Sequence, residues 1–116
     1  MSKLAAFLLF GPLILVISLI TKYYPPKKIN NLYGYRTKRS MMNMDTWIFA
    51  NTYSTNILIL SGLFTTLIQL LFWKMAVEDF VLIGLAAFVI GLGLSIFLTE
   101  RKLKQTFDND GNRLNP

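Results

Sequence analysis

The residues with chemistry to offer lie in one polar segment, 25–51. It carries Lys27, Lys28, Arg36 and Arg39, interleaved with Tyr33, Tyr35 and Trp47 and with Asn30, Gly34, Thr37, Ser40, Asn43 and Asn51. The four cations can hold a phosphate or a carboxylate, arginine above all through its planar fork. The three aromatics can stack on a ligand or on those cations. The plainer alternative is that the cations set topology and touch lipid headgroups, while the aromatics anchor the interface. Composition alone favours the plainer alternative and leaves the first open. Catalysis is not expected: Asp45 is the segment's only acid, and no nucleophile–base pair is visible. The chain has no cysteine and no histidine. That excludes disulfides, thiol chemistry, Cys/His metal sites and His-based triads, so neither a metal nor a cofactor is expected.

What must position this segment is apolar. Of 116 residues, 53% are hydrophobic and 16% charged, against about 25% charged in a soluble domain. The deficit sits in three uncharged runs, 4–21, 47–73 and 80–99. A helical span needs roughly 20 mostly apolar residues, and backbone amides in lipid must be satisfied within the helix. The expected fold is therefore all-α: one membrane domain, 1–116, with three transmembrane helices, a structured polar loop over 22–46 and a tail over 100–116. The first run is expected to be retained rather than cleaved, because Leu19-Ile20-Thr21-Lys22 offers no small-x-small site. Gly11-Pro12 should kink it, Pro25-Pro26 should end it, and Tyr23 and Tyr24 suit an interfacial belt. Asn43 or Asp45 is the expected N-cap of the second run, with Trp47 at the interface. The stretch from Asp108 to Asn112 reads as frayed, and as a calcium loop it lacks the terminal glutamate.

The formal charge of +6 would favour nucleic acid in a soluble protein. Beside apolar spans it is better matched to anionic lipid, and no nucleic-acid partner is expected. Lys22, Lys27, Lys28, Arg36, Lys38 and Arg39 precede the second run, and Arg101, Lys102, Lys104 and Arg113 follow the third. Only Lys3 and Lys74 fall on the opposite side. Ten against two places the loop and tail in the cytoplasm and the N-terminus outside, with a tight outer connection at 74–79.

Within the runs, Asn51, Thr55, Leu58, Gly62, Thr65 and Gln69 are spaced 4, 3, 4, 3, 4 and share one helix face. Asn51 and Gln69 are costly against lipid tails, so this face is expected to point into the bundle and pack on the third span. There Gly84, Ala87, Gly91 and Ser95 form a ridge of small residues. A polar cavity open to the loop is the alternative use of these faces. No carboxylate or basic residue lies inside any run, which disfavours a proton-coupled transporter.

The pattern Pro25-Pro26-Lys27-Lys28-Ile29-Asn30, Tyr33-Gly34-Tyr35-Arg36-Thr37, Ser40-Met41, Asn43 and Trp47-x-x-Ala50-Asn51 resembles the signature of the SdpI family of bacterial integral membrane proteins. The resemblance implies the inner membrane, and immunity to a secreted, membrane-active peptide toxin. It also implies signalling through a cytoplasmic repressor that the basic loop could dock. The founding immunity protein is larger, with extra spans before this module. The runner-up is a membrane protein that binds a small ligand or a lipid headgroup, as a transporter subunit or an enzyme accessory. The partners expected are thus the lipid bilayer, a peptide toxin, a repressor and a second copy in a homo-oligomer. Arg36 and Asn51 are the leading site residues.

Overall fold

The computed structural model describes residues 2–74 and 80–114. They form four helices in chain order, α1 (Lys3–Leu9), α2 (Gly11–Tyr23), α3 (Met44–Lys74) and α4 (Phe80–Thr106), and among the described residues there is no strand beyond one isolated bridge. Two helices, Met44–Lys74 and Val81–Thr106, are long and apolar enough to cross a membrane, and Phe7–Tyr23 is a shorter apolar stretch. The first apolar run is divided where Gly11-Pro12 stands. Phe10 adopts φ −100° and ψ −87°, and Pro12 sits in the first turn of α2, where its missing N–H is harmless. The tight connection expected at 74–79 lies, beyond Lys74, outside the described residues.

Helix α3 lies between its neighbours and packs against α2 on one side and α4 on the other, while α2 and α4 scarcely touch. The face spaced 4, 3, 4, 3, 4 is the inward one. Asn51, Thr55, Gly62, Thr65 and Gln69 are buried and Leu58 is half-buried. It serves both neighbours rather than the third span alone. A Cβ on Gly62 would stand 3.0 Å from the backbone nitrogen of Leu15 in α2. A Cβ on Gly91 of α4 would collide with the Ser61 hydroxyl, one position off the expected face. Gln69 joins all three elements. Its Oε1 accepts from the Gly11 N–H that the break leaves without a helical partner (3.3 Å), and it lies against Gly84. Polar side chains and small residues hold helices together in lipid because burying apolar surface there gains little.

At 1.5 Å per residue α3 is about 46 Å long, well over the roughly 30 Å of hydrocarbon. It is thus longer than a bilayer crossing needs, and α4 runs on beside its first turns to Thr106 instead of stopping near Thr99. Leu103 and Phe107 continue the buried side of α4 and pack on Ala50 of α3, with Phe49 and Tyr35 around them. The stretch from Asp108 to Asn112 is not frayed. The Asp108 carboxylate accepts from the N–H groups of Asp110 and Asn112, both at 2.9 Å, and Gly111 turns at φ +84°. The tail returns to α3, where Arg113 donates two hydrogen bonds of 2.8 Å to Asp45 and lies over the Phe107 ring.

Candidate functional site

The polar segment between α2 and α3 contains no helix, so its backbone draws on side chains, and Asn30, Tyr33, Arg36, Thr37 and Ser40 do this from within it. Asn30 forms an Asx turn, its Oδ1 accepting from the N–H groups of Leu32 and Tyr33 at 2.9 and 2.7 Å. The Tyr33 hydroxyl donates to the Tyr24 carbonyl at 2.6 Å, tying the turn to the end of α2. Trp47 and Asn51, one helical turn apart on α3, fix the segment at two points. The Trp47 indole Nε1 donates to the Pro26 carbonyl at 2.8 Å, and Asn51 Oδ1 accepts from the Tyr35 N–H at 2.7 Å. Asn51 Nδ2 donates back to the Trp47 carbonyl at 2.9 Å. Gly34 passes between these anchors at φ +106°. A Cβ there would lie 2.5 Å from Asn51 Oδ1 and 2.8 Å from the Pro26 ring, so only glycine fits.

The second half of the segment is a knot of hydroxyl groups. Thr37 N–H donates to Ser40 Oγ at 2.8 Å and Ser40 N–H to Thr37 Oγ1 at 3.2 Å, while Ser40 Oγ also reaches the Tyr35 carbonyl. Asn43 caps α3 by accepting from the Thr46 N–H at 2.9 Å, and its Nδ2 holds the Gly111 carbonyl of the tail at 2.8 Å. Glu100 joins the knot to α4. Its Oε2 accepts from the Tyr35 hydroxyl at 2.7 Å and from Thr37 Oγ1 at 3.0 Å. Burial pushes the Tyr35 phenol above its ordinary value near 10, and the bond to the Glu100 carboxylate adds to that.

Beneath this cap lies a cavity of 290 Å³ in the notch where α2 and α4 diverge over α3. Tyr33, Gly34 and Tyr35 form its roof. Its walls carry hydroxyl groups from three helices, Ser18 and Thr21 of α2, Ser54 and Thr55 of α3 and Ser95 of α4, and no charged side chain. Such a lining can hold an uncharged hydrogen-bonding group.

The structure divides the thirteen candidate residues of the sequence. Tyr35, Thr37, Ser40, Asn43, Trp47 and Asn51 are drawn into one hydrogen-bonded unit, Gly34 packs between Asn51 and Pro26, and Asn30 holds a separate turn with Lys28, Leu32 and Tyr33. Trp47 has no exposed surface, so it anchors the segment and offers no face on which a ligand could stack. Lys27, Lys28 and Arg36 point outward, with Arg36 donating to the Asn31 carbonyl, and Arg39 is half-buried. Tyr33 is the roof residue with an open face. Sequence reasoning missed Glu100, Thr46, Ser18 and Ser54. The signal for Glu100 was its position as the one acid at the end of the third apolar run, four residues after Ile96.

Comparison with known proteins gives a consistent picture. A family model described as the SdpI/YfhL protein family matches residues 27–99, which takes in the cap and most of both long helices. A protein of Bacillus subtilis (strain 168), named Uncharacterized protein YfhL, is 36% identical over 104 residues, covering 89% of this chain and 91% of that protein. No solved structure matches.

Proposed function

The chain belongs to the SdpI/YfhL protein family, and from that premise we propose that it confers immunity on a bacterium against a secreted, membrane-active peptide toxin, without catalysing a reaction. In this reading it is a three-span protein of the inner membrane, with α1 and α2 together forming the first span. The N-terminus faces out, and the cap and tail face the cytoplasm, as the ten-to-two distribution of basic residues favours. The observation that carries the reading is the cap itself. Residues of the family-matched segment build a rigid lid over a notch between membrane helices, and the notch holds no charged group with which to run a reaction. Lys22, Lys27, Lys28 and Arg36 are exposed around the cap, a surface suited to docking a cytoplasmic repressor.

Expression in a sensitive bacterium tests this. The parent should protect against the cognate peptide toxin. Arg36→Ala should reduce protection by removing an outward cation, and Asn51→Ala by releasing the cap, with membrane levels of both variants normal. Lys38→Ala should protect as the parent does. Full protection by both the Arg36 and Asn51 variants would overturn the assignment of the cap as the working part. An impermeant thiol reagent that readily labels Arg36→Cys in intact cells would reverse the proposed orientation.

A further inference from the structure

The notch under the cap has a use that immunity does not require. We propose that it is a lipid site, in which Thr55 and Ser95 donate hydrogen bonds to the ester carbonyls of one bilayer glycerolipid.

Depth is the first reason. From Lys74, at the far end of α3, about twenty residues at 1.5 Å each span the roughly 30 Å of hydrocarbon. That places Ser54 and Thr55 at the boundary between acyl chains and headgroups, where ester carbonyls lie. The second reason is what the hydroxyl groups do. Ser18 and Thr21 donate to carbonyls of their own helix at 2.6 and 2.9 Å. Thr55 of α3 and Ser95 of α4 are 4% and 3% exposed, both line the cavity, and neither hydroxyl has a hydrogen-bond partner among the described residues. The hydroxyl groups of these two buried residues face the cavity rather than a protein acceptor, so an acceptor placed in the cavity would add hydrogen bonds that the protein itself does not supply.

The chemistry of that acceptor follows from the remaining lining. Ile17, Leu58 and Leu92 give alkyl surface below the hydroxyl layer, Ile96 stands beside it toward the cap, and no charged group is present. The notch opens sideways, because α2 and α4 scarcely touch. An occupant that enters from the bilayer, extends an alkyl chain and presents free carbonyls is a diacyl lipid. A transmembrane peptide fits less well, because its helix already satisfies its own carbonyls.

The test compares two phosphatidylglycerols with the same chains, one ester-linked and one ether-linked, by native mass spectrometry of the purified full chain. The ester lipid should bind roughly tenfold more tightly, the effect of one or two hydrogen bonds. Thr55→Val with Ser95→Ala should abolish that preference. Thr66→Val should keep it, because the Thr66 hydroxyl is bonded to the Gly62 carbonyl outside the notch. Equal binding of the two lipids by the parent, or saturable binding of neither, overturns the proposal. So does a preference that survives in the double variant. If the double variant does not fold, the parent comparison decides alone. No toxin enters the measurement, so its outcome is separate from that of the protection assay.

Discussion

The two ends of α3 are made differently. At its start Thr46, Trp47, Ala50 and Asn51 are buried beneath the cap, and side chains from α4 and the tail close over them. At its other end Leu67, Leu70 and Leu71 are 65%, 42% and 56% exposed, and Gln69 is the buried residue of the last two turns. The capped end contains an irregular segment whose backbone has no helix to satisfy it, so it needs many specific hydrogen bonds. Among the described residues the far end is helix, broken once at Phe10, where Gln69 supplies the acceptor for the Gly11 N–H. Elsewhere it relies on close approach at Gly62, Gly84 and Gly91, and leaves its large side chains to the lipid. Specific chemistry therefore accumulates at one end of the helices, where the chain must hold a shape that neither helix formation nor lipid imposes.

If that contrast is real, truncation should be severe at one end and mild at the other. Trp47→Ala removes the largest fully buried side chain and leaves the Pro26 carbonyl without its donor. It should cost about 3–5 kcal/mol in the unfolding of the purified protein, as large-to-small core changes do. Leu71→Ala, at the exposed end, should stay within about 0.5 kcal/mol. Similar losses for the pair would break the comparison. Within the apolar part, Gly91→Leu drives a side chain into Ser61 and should cost about 1–3 kcal/mol or more by overpacking. Val89→Leu, at a position 57% exposed, should be silent in the same assay.

Asn51→Ala sharpens the comparison, because it cuts hydrogen bonds and removes little volume. Without Asn51 the Tyr35 N–H loses its acceptor. A buried donor left unpaired costs about 1–3 kcal/mol. The loss should stay local: hydrogen exchange should speed up at Tyr35 and its neighbours and remain unchanged around Gln69. Acceleration at both ends would mean that the cap and the apolar bundle unfold as one unit.

Much of the apolar end is legible in the sequence. A polar residue every third or fourth position in an uncharged run has one tolerable orientation, so Asn51, Thr55, Thr65 and Gln69 mark the inward face. Gly11-Pro12 marks the break equally plainly. The capped end is harder to read, because its contacts are distant in sequence. Tyr35 and Glu100 are 65 residues apart and Asn43 and Gly111 are 68 apart, and neither pair is joined by any periodicity. The end of α4 is misplaced for a different reason. Arg101, Lys102 and Lys104 end the hydropathy run without ending the helix, because all three are good helix formers. Ser95, Thr99, Leu103 and Phe107, spaced by four and all buried, carry the signal that hydropathy hides.

The smallest effect is expected in the tail, the outermost layer of the capped end. Two backbone N–H groups, of Asn112 first and of Asp110, hold the Asp108 carboxyl below its ordinary value of 3.8. A carboxyl depressed in the folded state adds stability at pH above that ordinary value. The contribution is lost as pH falls through the lowered one. The Asn112 amide should therefore keep its NMR chemical shift down through the ordinary carboxylate range and move only at lower pH. Asp108→Ala should release it at every pH. Either change should leave the rest of the tail in place, because the Asp45–Arg113 pair, the Asn43 bond to Gly111 and the burial of Phe107 do not depend on Asp108. An Asn112 midpoint at or above 3.8 would show that the turn is not ordered by that carboxylate. The tail would then be held by its contacts with α3 and the end of α4 alone.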